Sequence, residues 1–254
     1  MKLVAFSGSD LAGSNIAGIL RREFRVDDRL IVESAEFMTD VESLTDLGPE
    51  VCFVASRHRS ESGQPTLTAH VTGNFGAAEL GGRSGELALA PALYLREAVV
   101  RLMEYGAGSG YSVSLEVTHH GPTSLPFPLV FVEVGSGPGQ WGDLRACRIV
   151  ARVISELLSA EPAERAVALG FGGPHYAPNF TSVLDRVALG HIASKHVVGC
   201  LDEAMIRQMV ERTVPRPDFA LFDWKGLRGV ERRRIMGLVE GFGLPCRRTS
   251  ELKD

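Results

Sequence analysis

Two hydrophobic periods alternate along the chain. Residues 2–6 and 51–55 are almost wholly apolar, as are 129–134, 166–171 and 219–222, which predicts strands covered on both faces. Residues 29–34 read as a further strand, and Val113, Leu115 and Val117 alternate with polar neighbours as a strand should. Helical spacing marks 16–24, closed by basic residues, and 90–105, with Pro91 in its first turn and Gly106 past its end. The same spacing marks 144–158, 182–189, 201–214 and 230–242, and residues 191–199 read as a strand between two of these helices. Strands alternating with helices predict one α/β domain over 1–254, with a mixed, largely parallel sheet flanked by helices on both faces.

In such sheets ligands bind beyond the carboxyl ends of the strands, and histidines gather at those positions here. His119 and His120 end the alternating strand, where Gly121-Pro122 forces a turn. His70 ends another alternating stretch, and His175 lies in a loop bounded by glycines and prolines. Glu133 sits inside an apolar run, where a carboxylate needs a partner. These residues suit a metal site or an acid/base cluster, and equally a set of structural histidines with Glu133 paired to an arginine. Adjacent strand residues face opposite ways, so only one of His119 and His120 should enter a given pocket unless the backbone turns at His120. His58, between Arg57 and Arg59, is expected at the surface.

Composition narrows the class. With 44% hydrophobic residues in 254, the chain can build a sizeable core. Its four cysteines, Cys52, Cys147, Cys200 and Cys246, have no CxxC or zinc-ribbon spacing and read as buried thiols of a cytoplasmic protein. The first apolar run breaks at Gly8, too short for a signal peptide or membrane span, and no obligate protein partner is called for. The net charge of −4 conceals an asymmetry: residues 224–254 carry eight Lys/Arg against four acids, leaving −8 on the rest. A basic face suits a polyanionic partner, though a solvated basic helix explains it as well.

The motif record is mostly negative. The Gly-rich loop 7–15 precedes a helix, as anion-binding loops do, but fits neither the P-loop nor the dinucleotide fingerprint. No G-x-S-x-G follows a strand and no HExxH occurs, which leaves water activated by a metal or by a histidine base.

Four segments then carry a resemblance: SRHRSESGQPTLTAHVTGNFG, EVTHHGPTSLPFPLVFVEVGSGPGQW, GFGGPHYAPNFT and GHIASKH. With the opening SGSDLAGSNIAGIL, they resemble the D-aminoacyl-tRNA deacylases of archaea and plants over essentially the whole chain. The resemblance implies a cytoplasmic enzyme that hydrolyses the ester between a D-amino acid and the tRNA 3′ end, with zinc. It also implies a fold similar to peptidyl-tRNA hydrolases and nucleoside phosphorylases, with a sheet partly closed into a barrel.

Carried onto this chain, it marks His58, His70, His119, His120, Glu133 and His175. His70, His119, Glu133 and His175 are the expected zinc ligands, with His120, His175 and Glu133 in catalytic roles; a metal-free site with His175 as base is the competing arrangement. Lys195, Lys225, Arg232, Arg233, Arg234, Arg247 and Arg248 are the expected tRNA contacts. Rigid backbone at Gly121-Pro122 or Gly173-Pro174 is expected to reject the L side chain by collision. A nucleoside phosphorylase or other small-molecule metallohydrolase, with phosphate in the 7–15 loop, is the alternative. A non-catalytic RNA-binding protein would leave the histidines unexplained, and 7% aromatic residues with no stacking motif disfavour it.

Overall fold

The apolar runs become strands in two sheets, and the periodic segments become the helices that cover them. The computed structural model describes residues 1–41 and 43–253. In chain order the elements are β1 (Lys2–Ser7), α1 (Leu11–Arg22), β2 (Ile31–Ser34), β3 (Val51–Arg59), β4 (Thr66–His70), β5 (Ala90–Pro91), α2 (Ala92–Gly106), β6 (Ser112–Leu115), β7 (Leu129–Ser136) and α3 (Pro138–Trp141). Then come α4 (Leu144–Leu157), β8 (Val167–Phe171), α5 (Pro178–Thr181), β9 (Ala188–Ala193), α6 (Glu203–Glu211), β10 (Thr213–Val214), β11 (Phe219–Phe222), α7 (Gly229–Glu240) and β12 (Cys246–Arg248).

The larger sheet runs β2-β1-β3-β7-β4-β6 and is parallel except where β4 meets β7. The second, β12-β11-β8-β9, is wholly parallel. The mixed, mostly parallel α/β architecture is therefore as expected, divided between two main sheets and a short parallel pair of β5 with β10. The largest apolar cluster joins them: Phe53, Leu67 and Val132 of the first sheet share it with Leu189 and Leu221 of the second and with Leu95, Val99 and Leu102 of α2. The outer face of the second sheet is covered by α6 and α7 through Ile206, Met209, Ile235 and Val239. The outer face of the first is covered by loop residues, including Met38, Leu44, Leu125 and Phe127.

Several boundaries differ from expectation for local reasons. Helix α1 begins at Leu11 instead of residue 16, because the buried Asp10 is its N-cap and accepts the Gly13 amide at 2.9 Å. Gly13 allows this helix to lie on β3: a Cβ there would stand 2.7 Å from the Ala55 carbonyl oxygen. Residues 182–186 form turns where a helix was expected, and β9 stops at Ala193, leaving Lys195 and His196 beyond it. Helix α6 ends at Glu211, and the next two residues but one pair with β5 as β10. Strand β12 lies in a stretch too polar to show a strand period. All four cysteines are free, but only Cys52 and Cys147 are buried; Cys200 is exposed and Cys246 intermediate, which corrects the expectation of four buried thiols. Among the described residues no helix is long and apolar enough to cross a membrane.

Candidate active site

The pairing of three strands builds the floor of the site. Glu133 of β7 lies opposite Ser56 on β3 and opposite Thr68 on β4. Since side chains alternate, the face that carries Glu133 also carries His58, two residues beyond Ser56, and His70, two beyond Thr68. Gly135 makes room for them: a Cβ there would stand 2.8 Å from the His58 ring and 2.7 Å from the Thr66 hydroxyl. His58 is thus buried, which corrects the expectation of a surface residue. The flanking arginines misled because Arg57 is partly exposed and Arg59 exposed, while the histidine between them is buried.

The remaining groups arrive from the segment after β6. It does not continue as a ladder strand to His119; it crosses from one sheet to the other. The Glu116 amide donates to Ala69 O (3.1 Å) on β4, that of Val117 to His175 O (2.9 Å), and that of Thr118 to Ile192 O (3.0 Å) on β9. At His120 the backbone turns into the left-handed region, φ 44°, and both histidines therefore enter the same site. Their ring centroids are 4.4 Å apart, and His119 lies 4.2 Å from His70 and 4.6 Å from His175.

At the centre stands Glu116, fully buried and absent from the sequence-based candidates. Its carboxylate lies 3.0 Å from His175 Nε2, 3.1 Å from His58 Nδ1 and 3.5 Å from His119 Nε2. Glu133 lies 3.4 Å from His70 Nε2 and 3.6 Å from His58 Nδ1. Glu133 is therefore paired with histidines and not with an arginine. Tyr176 completes the cluster, its hydroxyl 3.0 Å from His58 Nε2. Glu116 was hidden because it takes a polar position of the alternating run, between Leu115 and Val117; only the crossing of the two sheets buries it.

The charges follow from these contacts. Burial opposes the charged form of both carboxylates, but the His175 bond and the facing imidazoles hold Glu116 well below the usual range, and His58 and His70 lower Glu133. Burial would likewise lower His58, yet Glu133 and Glu116 outweigh it and raise this imidazole to about 10. His70 is raised against its burial by Glu133. His119 and His120 go the other way: burial and the nearby charge of His70 push His119 well below its usual value and His120 down to about 4.

One arrangement bears directly on metal binding. His70, His119 and His120 each have Nδ1 near a backbone carbonyl oxygen, Val71 O at 3.2 Å, Val117 O at 2.8 Å and Gly121 O at 2.6 Å. A carbonyl only accepts, so each Nδ1 carries a proton; His119 and His120, held neutral, offer a lone pair at Nε2, and His70 would do so on giving up its second proton to a bound metal. In that form the Nε2 lone pair of His119 faces Glu116, acceptor against acceptor, while His70 Nε2, 3.4 Å from Glu133, and Glu116 Oε1 are buried without a well-aligned hydrogen bond. Among the described residues three overlapping sets have ligand atoms within 4.8 Å: His70, His119, His120; His58, Glu116, His175; and His70, Glu116, Glu133. None contains together the four expected zinc ligands, His70, His119, Glu133 and His175, because His175 belongs with Glu116.

The cluster floors a cleft of about 440 Å³ that also holds Arg57, Arg59, Phe37 and Met38. A second cleft, about 350 Å³, shares only Leu80, His119 and His120 with it. A larger hollow of about 540 Å³ between Leu93, Arg165 and Arg216 contains none of the histidines. The expected phosphate loop is occupied by the protein's own groups: Asp10 accepts the Gly13 and Arg57 amides and lies 3.2 Å from the Ser56 hydroxyl, which opposes an anion there.

The basic residues form a platform behind the His175 loop. The guanidinium carbons of Arg232 and Arg248 each lie 3.8 Å from the Trp224 ring centroid. Arg247 lies over Phe219, and Arg234 donates to Val198 O and Leu201 O at 2.5 Å each. Arg233 and Lys225 are exposed on the same stretch. The platform is tied to the site through Gly173, whose carbonyl accepts the Lys195 amide at 3.0 Å, and through Asp223, which accepts from Asn179.

Known proteins resemble this chain over most of its length. Residues 45–247 match a family model described as D-aminoacyl-tRNA deacylase. A D-aminoacyl-tRNA deacylase of Thermococcus kodakarensis is 35% identical over 96% of this chain and 98% of its own. One of Methanosarcina acetivorans is 38% identical over 82% of this chain and 70% of its own. A crystal structure of a conserved protein of unknown function superimposes with a TM-score of 0.91 at 28% identity, covering all of this chain and 96% of the other. With the family matched across the histidine-bearing segments and both sheets, the chain belongs to the D-aminoacyl-tRNA deacylase family.

Proposed function

We propose that the chain hydrolyses the ester joining a D-amino acid to the 3′ end of tRNA, releasing both, in the cleft floored by His58, His119, His120, His175 and Glu133. The observation that carries this reading is a pair of buried carboxylates, Glu116 and Glu133, surrounded by imidazoles at the edge of an open cleft, in a chain of this family. Buried charges so paired are costly to assemble and mark functional sites.

The residues divide into two groups. His70, His119 and His120, with Nδ1 fixed by backbone carbonyls, are the fitting ligands for zinc, and Glu133 or Glu116 offers a fourth. Zinc held there would supply Lewis acidity toward the ester and water. His175 is suited to accept the proton of the attacking water: its side chain is 42% exposed, and Glu116 at Nε2 leaves Nδ1 as the basic atom. Glu116 then stabilises the imidazolium that forms, and the proton returns to the leaving ribose oxygen. His58, cationic between the two carboxylates, limits their mutual repulsion.

Arg233, Lys225, Lys195, Arg247, Arg248 and the Arg232-Trp224 stack are the phosphate-contacting face for tRNA, with Arg234 tying α7 to the 198–201 turn. The backbone beside the two reactive histidines, Gly121-Pro122 and Gly173-Pro174, is the rigid wall against which an L side chain would collide.

Release of amino acid from matched D- and L-tyrosyl-tRNA tests the activity; release from the D ester alone is expected, and release from neither by metal-loaded protein would overturn it. His70→Ala tests the metal reading: it should lose bound zinc by elemental analysis, full retention of zinc would remove His70 from the ligand set, and turnover by wild type freed of zinc would leave the metal-free arrangement with His175 as base.

A further inference from the structure

The two clefts meet only at Leu80, His119 and His120, so a substrate whose scissile bond lies over those histidines must enter one cleft on each side. We infer that the larger cleft holds the terminal nucleotide and the smaller one the amino-acid side chain, with Phe75, Ala77, Val197 and Cys200 setting which side chains are accepted. This rests on the deacylase reading and deepens it.

Charge distinguishes the clefts first. The larger has Arg57 and Arg59 in its lining, cations suited to the phosphate that precedes a 3′-terminal nucleoside. Of its three acids, Asp10 accepts two backbone amides and Glu133 faces His58 and His70, which leaves the exposed Asp40, 3.3 Å from the Thr39 hydroxyl, against the two arginines. The smaller cleft has no Lys or Arg in its lining and has one carboxylate, Glu79. An esterified amino acid carries an α-ammonium and no carboxylate, so a wall with an acid and without cations suits it.

Shape and surface agree. Phe37 is 57% exposed at the larger cleft, an apolar ring left in water where a base can stack on it. The smaller cleft is walled by backbone: its Gly73, at φ 158°, could not carry a Cβ without meeting Leu87 at 2.6 Å and Thr118 at 3.0 Å. Ala77, at its exposed rim, leaves space for a large side chain beyond this wall.

The test compares D-tyrosyl-tRNA with D-alanyl-tRNA for the wild type and for Ala77→Phe and Arg59→Ala. Filling the smaller cleft in Ala77→Phe should lower the D-tyrosyl to D-alanyl ratio of kcat/KM by about tenfold or more. Arg59→Ala should raise KM for both esters by the same factor and reduce the salt dependence, leaving the ratio unchanged. An unchanged ratio in Ala77→Phe, or a ratio that moves in Arg59→Ala, overturns the assignment, the latter by reversing the clefts. Should Ala77→Phe lower the melting temperature, Ala77→Leu makes the same comparison with less bulk. Absence of release by the metal-loaded wild type would instead strike the deacylase reading itself.

Discussion

Glu116 decides more of the site's behaviour than any other single side chain, since three imidazoles converge on its carboxylate. Glu116→Gln keeps its size but removes the charge, so His175 loses the anion that stabilises its protonated form. A fall in kcat of roughly 10- to 100-fold is expected, the range for removing a group that orients a catalytic or metal-bound histidine. Steady-state kinetics on D-tyrosyl-tRNA reads it; a wild-type kcat in Glu116→Gln would remove Glu116 from the mechanism. His70, His119, His120, His175 and Glu133 could all be singled out before the fold was known, because imidazoles at strand ends and a carboxylate in an apolar run are anomalies within a short window. Glu116 could not, and His58 was marked only by the family resemblance, since a polar residue at a polar position of an alternating run, or a histidine among arginines, is ordinary until burial makes it otherwise.

Between elements, close approaches hold the histidines in place. Gly135 lets β7 pass beneath His58, and Gly135→Val would press its side chain into the ring and into Thr66. Overpacking of this kind costs about 1–3 kcal/mol, seen as a lowered melting temperature together with lost activity. Asp10 works at the same end of β3, capping α1 while accepting the Arg57 amide. Asp10→Ala should cost about 1 kcal/mol for the cap and somewhat more for the orphaned amide, measured by urea denaturation. Strand and helix identities were legible wherever the apolar period was long, as in β7, β8, β11, α2, α4 and α7. The errors fall where another rule prevailed: a cap residue started α1 early, turns replaced the helix at 182–189, and β12 pairs by backbone alone.

At the scale of the molecule, the join between the sheets is guarded by His191. It is wholly buried, with Nε2 donating to Ala88 O at 3.1 Å and Nδ1 3.2 Å from the Thr118 hydroxyl. Burial pushes its pKa down to about 3. Its folded value thus lies below the unfolded one, near 6.5, so on acidification the unfolded chain takes up the proton first. Its contribution to stability is full above pH 6.5 and is lost as the pH falls toward about 3. His191→Gln should flatten that part of the stability-against-pH curve, and a mutant curve parallel to the wild type would refute the assignment. The basic platform also acts at this scale: Arg233→Ala with Arg248→Ala should raise KM for tRNA and lower the slope of its salt dependence by roughly one to two. Unchanged salt dependence would place tRNA elsewhere.

The order of strands and helices, the apolar core and the histidines at strand ends were determined by the sequence, because periodicity and side-chain type act over a few residues. The tertiary structure alone decided that the strands form two main sheets and a two-stranded pair, that residues 116–120 cross between the main sheets, and that the left-handed turn at His120 brings both adjacent histidines to one side. It also decided that Glu116 and His58 are buried together. Those outcomes depend on contacts between segments tens of residues apart, whose free energy comes from packing and ion pairing that no local pattern records.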